Sequence, residues 1–201
     1  MTDVSIDPNV WGPACWDILF YIAYNVDLNK NLKSIQMLFH LLEVMLPCSQ
    51  CRRHYALYKK QVPPVSKIKK TEKLSAVVWL WVIHDMVNQN LGKICISYEK
   101  LLKKHKSFTC IISDFSIFDT IVFMWISSKN NPKVFEGINV ILELLETIRP
   151  FKTCAILKNK VDEQLNYKIL TECKNDLLKF YDFEQTNETD FIQMYQNSIS
   201  K

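Results

Sequence analysis

Hydrophobic positions recur at helical spacing along most of this chain. In the segment 32–45, apolar residues stand at positions 35, 38, 39, 41, 42 and 45, which share one face of a helix. Similar spacing predicts helices over residues 13–25, about 48–60, 71–91, 97–104, 115–127, 133–149, 155–181 and 188–198. The pattern therefore predicts an all-α protein.

Prolines and one glycine mark the ends of several predicted helices. Pro13 is expected near the first position of the first helix, where the missing N–H costs nothing. Gly92 follows the helix 71–91 and is expected to cap its carboxyl end. The segment 61–70, which holds two prolines, is expected to be a loop.

A weak internal repeat relates the two halves of the chain. Residues 32–51 read LKSIQMLFHLLEVMLPCSQC, and residues 135–154 read FEGINVILELLETIRPFKTC. The ungapped alignment pairs Pro47 with Pro150 and Cys51 with Cys154, but places Phe151 opposite Cys48. Two amphipathic helices can match this well by chance, so duplication and coincidence both remain open.

Composition excludes several classes of function. The chain has 201 residues, of which 48% are hydrophobic and 23% charged, as in an ordinary globular protein. Only three glycines occur, which argues against glycine-rich phosphate loops and dinucleotide-binding turns. The net charge of +4 is spread along the chain without a dense basic block, so we expect no nucleic-acid partner.

The compartment expected for the protein decides which chemistry its seven cysteines can carry. No apolar region of a signal peptide follows Met1, and no apolar run is long enough to span a bilayer. We therefore expect a cytoplasmic protein without membrane contact. Since thiols stay reduced in that compartment, the cysteines indicate redox or metal chemistry rather than structural crosslinks.

The strongest chemical signal is the segment 46–51, LPCSQC. Cys48 and Cys51 are spaced C-x-x-C, so their thiols can close and reopen a small disulfide with little backbone movement. If a helix starts here, its positive end favours the thiolate, which is the attacking species in thiol–disulfide exchange. We expect the sulfur of Cys48 to be the more exposed of the two.

A second signal lies in the helix predicted over residues 71–91. Trp81, His84 and Asn88 are spaced i, i+3, i+7 and form one stripe that would suit a flat heteroaromatic ligand. Lys93 at the helix end could meet a phosphate. On spacing alone, such a stripe is more often packed core than a cofactor site.

Together with a third motif, these segments resemble the Erv/ALR family of FAD-linked sulfhydryl oxidases. The first piece is WGPACW over residues 11–16, similar to the opening helix of the family. The second is the Pro47–Cys51 segment, and the third is similar to the flavin-binding pattern W-x4-H-N-x-V-N-x-x-L-G-K. The resemblance covers about residues 9–105, and the order and spacing of the three pieces fit.

The resemblance implies an Erv-type bundle of four helices plus a short fifth over residues 1–105. A second helical domain would follow over residues 106–201, and the weak repeat leaves open that it is a degenerate copy of the first. The implied activity is oxidation of protein thiols by O2 through FAD, with formation of hydrogen peroxide. The implied catalytic residues are Cys48 and Cys51; the implied FAD contacts are Gly12, Trp16, Trp79, His84, Val87, Asn88 and Lys93. No metal is implied.

The sequence departs from the family pattern at several positions. Phe20 stands where the first helix has a histidine, and Asp85 replaces the asparagine of the His-Asn pair. Leu46 replaces an aromatic residue before the Pro-Cys pair, a form that viral members often have. The extra domain and the composition rich in Lys, Asn and Ile suggest a member from a large DNA virus. Family members are commonly dimers through their first helices, so a homodimer or an internal pseudo-dimer is expected.

Two further interpretations stay open at this point. Cys48, Cys51 and His54 are spaced C-x-x-C-x-x-H and could bind zinc, with His84 or Cys95 as a fourth ligand. The protein would then be a helical interaction module. Separately, Cys95 and Cys110 flank the predicted fifth helix and could form a second disulfide, although free thiols are about equally expected.

Overall fold

The computed structural model describes residues 5–106, 112–128, 131–161 and 165–197. In these ranges the chain forms ten α-helices and one short 3-10 turn, which confirms the all-α prediction. The helices are α1 (Pro8–Asn25), α2 (Leu28–Met45), α3 (Ser49–Gln61), α4 (Ser75–Asn90), α5 (Tyr98–Lys106), α6 (Asp114–Ser128), α7 (Pro132–Ile148), α8 (Lys152–Val161), α9 (Tyr167–Phe180) and α10 (Glu188–Gln196). The 3-10 turn covers Val65–Lys67 within the predicted loop.

Helix α1 begins earlier than the sequence predicted. The Asp7 side chain caps it by accepting a hydrogen bond from the Asn9 N–H at 2.9 Å, and Pro8 takes the first helical position. Pro13 therefore lies inside the helix, and its predicted place near the first position is wrong. Asp27 caps α2 in the same way, so that helix also starts before its amphipathic stretch.

Helix α4 ends at the predicted glycine cap. Gly92 has a φ of +63°, a left-handed conformation that costs glycine little. Its N–H donates to the Gln89 carbonyl at 3.1 Å, and the Lys93 N–H donates to the Asn88 carbonyl at 2.9 Å. This is the Schellman arrangement, which satisfies the last carbonyls of the helix and confirms Gly92 as the cap.

The helix predicted over residues 155–181 is wrong, because the structure has two helices there. Helix α8 ends at Val161, and α9 starts at Tyr167 after the cap residue Asn166. The Asn166 side chain accepts a hydrogen bond from the Ile169 N–H at 3.0 Å. No proline or glycine separates the two helices, so the apolar spacing gave no sign of the break.

The helices pack in two sets of five that share one apolar core. In the first set, α1 contacts α4 and α5, while α3 contacts α2 and α4. In the second set, α6 contacts α9, and α8 contacts α7 and α9. The sets meet where α1 lies on α6 and α2 lies on α7. Among the described residues, none of the helices combines the length and apolar character that a membrane crossing requires.

Candidate functional site

The two cysteines of the C-x-x-C segment lie at the start of α3. Cys48 is the N-cap residue of this helix, and its sulfur is bonded to that of Cys51 in the first turn. The Cys51 N–H also donates to the Cys48 sulfur at 3.1 Å. When the pair is reduced, this N–H and the positive end of the helix would both stabilise a thiolate at Cys48.

Backbone hydrogen bonds hold the segment before the helix in place. The Ile6 N–H donates to the Pro47 carbonyl at 2.8 Å. From the helix side, the Arg52 guanidinium donates to the Leu46 carbonyl at 2.6 Å. The disulfide therefore sits between two anchors, one from the amino-terminal segment and one from α3 itself.

The exposure of the two cysteines differs from the prediction. Cys48 is only 5% exposed, whereas Cys51 is half-buried. The expectation that Cys48 is the more exposed residue is therefore wrong. The physical reason is the cap geometry, which folds the Cys48 side chain back over the first turn while Pro47 is held by Ile6.

A cluster of aromatic rings joins α1 to α4. The His84 imidazole lies edge-on to the Trp16 indole, with ring centroids 4.6 Å apart. It also meets the Phe20 ring edge-on at 5.6 Å. The structure thus brings Trp16 and His84, two of the residues that the resemblance implies for the cofactor site, into contact with each other and with Phe20, where the sequence departs from the family pattern. The spacing of one helical turn between Trp16 and Phe20 was the available signal.

Three other predicted residues lie near this cluster in sequence and on the same helices. Gly12 is buried one turn before Trp16, and a Cβ built there would meet nothing within 4 Å. Asn88 follows His84 by one turn and is 8% exposed. Val87 beside it is half-buried. Open space at a buried glycine one helical turn before Trp16 would suit a flat aromatic cofactor.

The remaining predicted residues are Lys93 and Trp79. Lys93 is exposed just beyond the end of α4. Trp79 is 6% exposed and stacks on Phe39 of α2 with ring centroids 4.9 Å apart. The indole N–H of Trp79 also donates to the Pro63 carbonyl at 2.9 Å. Both of these contacts join Trp79 to other parts of the fold.

Asp85, the residue after His84, has a buried carboxylate oxygen without a hydrogen-bond partner among the described residues. This oxygen is Oδ1, while Oδ2 accepts from the Gln89 amide at 2.9 Å. The Cys95 thiol lies near the same residue, and a hydrogen bond to Asp85 raises the pKa of that thiol. The predicted Cys95–Cys110 disulfide falls on Cys110, which lies outside the described residues.

The zinc interpretation lacks a set of ligands in the described part of the chain. The sulfurs of Cys48 and Cys51 are bonded to each other rather than free to coordinate a metal. His54 packs against the Tyr58 ring with centroids 6.0 Å apart. Within the described ranges, no group of three or more His, Cys, Asp or Glu residues is placed to hold a metal ion.

Comparison with known proteins identifies relatives of the first set of helices. Residues 13–106 match the model of the Erv1 / Alr family. A putative FAD-linked sulfhydryl oxidase of Invertebrate iridescent virus 3 is 24% identical over 106 residues, which cover 51% of this chain and 70% of the relative. A second, from Invertebrate iridescent virus 6, is 29% identical over 100 residues, covering 46% of this chain and 87% of the relative.

A third relative comes from another large DNA virus. A probable FAD-linked sulfhydryl oxidase of Acanthamoeba polyphaga mimivirus is 25% identical over 101 residues, covering 49% of this chain and 70% of the relative. No solved structure matches the chain significantly. The matched residues include both the disulfide at α3 and the ring cluster between α1 and α4.

Proposed function

Because residues 13–106 belong to the Erv1 / Alr family, we propose that this flavin-linked thiol oxidase passes electrons from the Cys48–Cys51 dithiol to FAD and then to O2. The observation that carries the proposal is the disulfide at the start of α3, within the matched segment. The viral relatives that match this segment are named as FAD-linked sulfhydryl oxidases. In the net reaction, two thiols and O2 become one disulfide and H2O2.

The cofactor would lie against the ring cluster between α1 and α4. Trp16, Phe20 and His84 offer aromatic surface there, and Gly12 leaves open space because it lacks a side chain. Asn88 and Val87 would line the same side of α4, and Lys93 could neutralise a phosphate of the dinucleotide. Bound FAD supplies a two-electron acceptor that the protein itself lacks.

The chain's own contribution to the chemistry is the dithiol. A substrate thiolate attacks one sulfur of the Cys48–Cys51 disulfide and releases the other as a thiolate. A second substrate thiol then attacks the mixed disulfide, so that the product disulfide leaves and both protein cysteines are reduced. Cys48 is the N-cap residue, and the Cys51 N–H lies 3.1 Å from its sulfur. Both features stabilise a thiolate on Cys48 when the disulfide is opened.

The roles of the two sulfurs are part of the proposal. By family resemblance, Cys48 receives the substrate and Cys51 faces the cofactor. The burial of Cys48 favours substrates that can reach the Leu46–Cys48 segment closely, such as a flexible protein strand, over bulky rigid ones. We propose protein thiols as the substrates, and the host cytoplasm or the virion as the place of action, in keeping with the viral relatives.

A pair of histidine variants tests the cofactor site. His84→Ala removes a ring of the cluster, so we expect lower FAD content and slower oxygen consumption with dithiothreitol. His54→Ala is the matched control, because His54 lies outside the cluster but belongs to the zinc interpretation. Normal FAD content in His84→Ala, or a wild-type protein that is colourless and cannot be reconstituted with FAD, would overturn the proposal. Zinc lost specifically from His54→Ala would support the interaction module instead.

A further inference from the structure

We propose that α6 to α10 are a second copy of the five-helix oxidase unit, which has lost its cofactor site and takes the place of a partner subunit. The first observation is that the repeat alignment matches the ends of helices in the two sets. The alignment that pairs Leu32 with Phe135 also pairs Ser49 and Lys152, which are the first residues of α3 and α8. The same alignment pairs the last residues of α2 and α7, Met45 and Ile148.

The carboxyl ends of α4 and α9 share the same cap conformation. After α4, Gly92 has a φ of +63°, and after α9, Asp182 has a φ of +59°. In each case the next residue closes the helix from the same position: Lys93 N–H donates to the Asn88 carbonyl at 2.9 Å, and Phe183 N–H donates to the Leu178 carbonyl at 2.8 Å. Such caps are common at helix ends, so the evidence lies in their position: both follow the fourth helix of their set and are closed by equivalent residues. The sequence alignment had not revealed this pair.

The contacts between the sets have the pattern of a two-fold interface. Helix α1 lies on α6, and α2 lies on α7, so each helix meets its own counterpart. The crossed contacts, α1 with α7 and α2 with α6, are also both present. An interface in which each element meets its equivalent is isologous, the kind that joins two identical subunits. Here the same chain supplies both sides.

The second copy carries an ion pair where the first carries its ring pair. The repeat register places Asp119 opposite Trp16, and the register of the two helix caps places Lys174 opposite His84. The Lys174 ammonium donates to Asp119 at 2.9 Å and is 8% exposed as a residue. The Tyr195 hydroxyl donates to the same carboxylate oxygen at 2.5 Å. These groups satisfy one another and fill the position with charge.

The second copy also lacks the dithiol. Phe151 stands opposite Cys48, and its ring lies under the Arg149 guanidinium at 4.3 Å from the centroid. Cys154, which pairs with Cys51, is fully buried. With neither the ring pair nor a disulfide, the unit retains only the packing face formed by α6 and α7. Its function is therefore to cover α1 and α2, the surface that would otherwise meet a second chain.

Native mass spectrometry and light scattering of the purified full chain test this inference. We expect the mass of a single chain, with one FAD per chain, and the same single-chain mass after FAD is removed. A stable dimer, or two FAD molecules per chain, would overturn the inference. A protein that never binds FAD but is a monomer would refute the proposed function and leave the inference standing, so the two failures are distinguishable.

A lysine variant tests the filled position directly. Lys174→Met breaks the ion pair with Asp119, so we expect a lower melting temperature while FAD stays at one per chain and dithiothreitol oxidation changes less than two-fold. The matched control is Lys168→Met on the exposed face of α9, where no change in melting temperature is expected. A loss of FAD from folded Lys174→Met would show that Lys174 holds cofactor and would overturn the inference.

Discussion

At the scale of single residues, the chemistry depends on how one cysteine starts a helix. In the proposed function, Cys48 serves both as the helix cap, with its sulfur accepting the Cys51 N–H at 3.1 Å, and as a redox group. Ile6 and Arg52 fix the backbone before it through the Pro47 and Leu46 carbonyls. Two hydrogen bonds therefore hold the backbone that leads into the disulfide.

Serine variants of the two cysteines separate their roles. Cys51→Ser should abolish turnover and leave the flavin oxidised in the presence of a dithiol, because the sulfur facing the cofactor is gone. Cys48→Ser should leave a free Cys51 thiolate beside the flavin and produce a long-wavelength charge-transfer band in the visible spectrum. The same band in Cys51→Ser instead would reverse the assignment and agree with the greater exposure of Cys51.

Gly12 offers a test that separates stability from cofactor binding. A Cβ there meets no atom within 4 Å, and alanine is favoured over glycine in a helix by up to about 1 kcal/mol. Gly12→Ala should therefore keep or raise the free energy of unfolding of the FAD-free protein. If Gly12 borders the cofactor, FAD affinity should fall by about ten-fold, or about 1.4 kcal/mol. Urea unfolding and FAD titration measure the two quantities, and unchanged FAD affinity would remove Gly12 from the site.

The sequence predicted the composition of this site better than its arrangement. Spacing and resemblance identified Cys48, Cys51, Trp16 and His84, which the structure places in one disulfide and one ring contact. Trp79 belongs to the same motif, yet the structure packs it on Phe39, because five residues along a helix bring a side chain to another face. The sequence also did not predict the burial of Cys48, because neither its cap hydrogen bond with the Cys51 N–H nor the bond from the distant Ile6 to Pro47 is visible in residue spacing.

At the scale of elements, apolar spacing located the helices, and capping side chains set their ends. The sequence predicted helices α2 to α5 nearly in full, whereas the start of α1 depended on Asp7 and the break before α9 on Asn166. A polar residue that caps a helix looks like any other polar residue in the pattern. Only its hydrogen bond, such as Asn166 with the Ile169 N–H at 3.0 Å, distinguishes it.

In the contact between α2 and α7, the Met45 side chain occupies the place that a Cβ at position 137 would take. A Cβ at Gly137 would lie 1.9 Å from the Met45 sulfur, and Met45 is fully buried. Overpacking of this kind costs about 1–3 kcal/mol, which exceeds the gain of about 1 kcal/mol that alanine brings to a helix. Gly137→Ala should therefore lower the free energy of unfolding, measured by urea titration.

A double-mutant cycle shows whether Met45 is the cause. Met45→Ala alone should cost about 2–5 kcal/mol through the cavity that it leaves. In the double variant, the alanine at 137 has space, so it should no longer lower the free energy of unfolding. The destabilisation of the double variant should therefore be smaller than the sum of the two single-variant effects by about 1 kcal/mol or more. Strict additivity would mean that α2 and α7 do not meet closely at Gly137.

At the scale of the whole molecule, the proposed redox centre belongs to the first five helices, whereas two buried cysteines belong to the second five. Cys154 and Cys173 are 0% and 1% exposed. Burial raises the pKa of the Cys154 thiol to about 12 and that of Cys173 to about 11. Because the thiolate is the reactive form, both residues should be inert in thiol exchange at neutral pH.

Removing both buried thiols tests this division between the halves. The double variant Cys154→Ser with Cys173→Ser should oxidise dithiothreitol at a rate near that of the wild type, measured by oxygen consumption. Loss of most activity, with FAD content and circular dichroism unchanged, would show that the second half relays electrons to Cys48.

The same variant tests the burial of the two thiols through the pH dependence of the free energy of unfolding. In the folded protein both thiols keep their protons above the ordinary pKa of 9.0, whereas the unfolded chain releases them. Their contribution to stability is therefore fully present below about pH 9 and declines as pH rises further. The double variant should show a shallower loss of unfolding free energy between pH 8 and pH 10 than the wild type. An equal loss would mean that the two thiols are accessible.

One measurement tests the central claim most directly: the visible absorption spectrum of the purified protein mixed with dithiothreitol without oxygen. If the Cys48–Cys51 dithiol passes electrons to bound FAD, the yellow flavin band should bleach and return when air is admitted, with one H2O2 formed for each O2 consumed. In Cys51→Ser the band should stay unbleached. A colourless protein, or wild-type flavin that stays oxidised with dithiol present, would contradict the account.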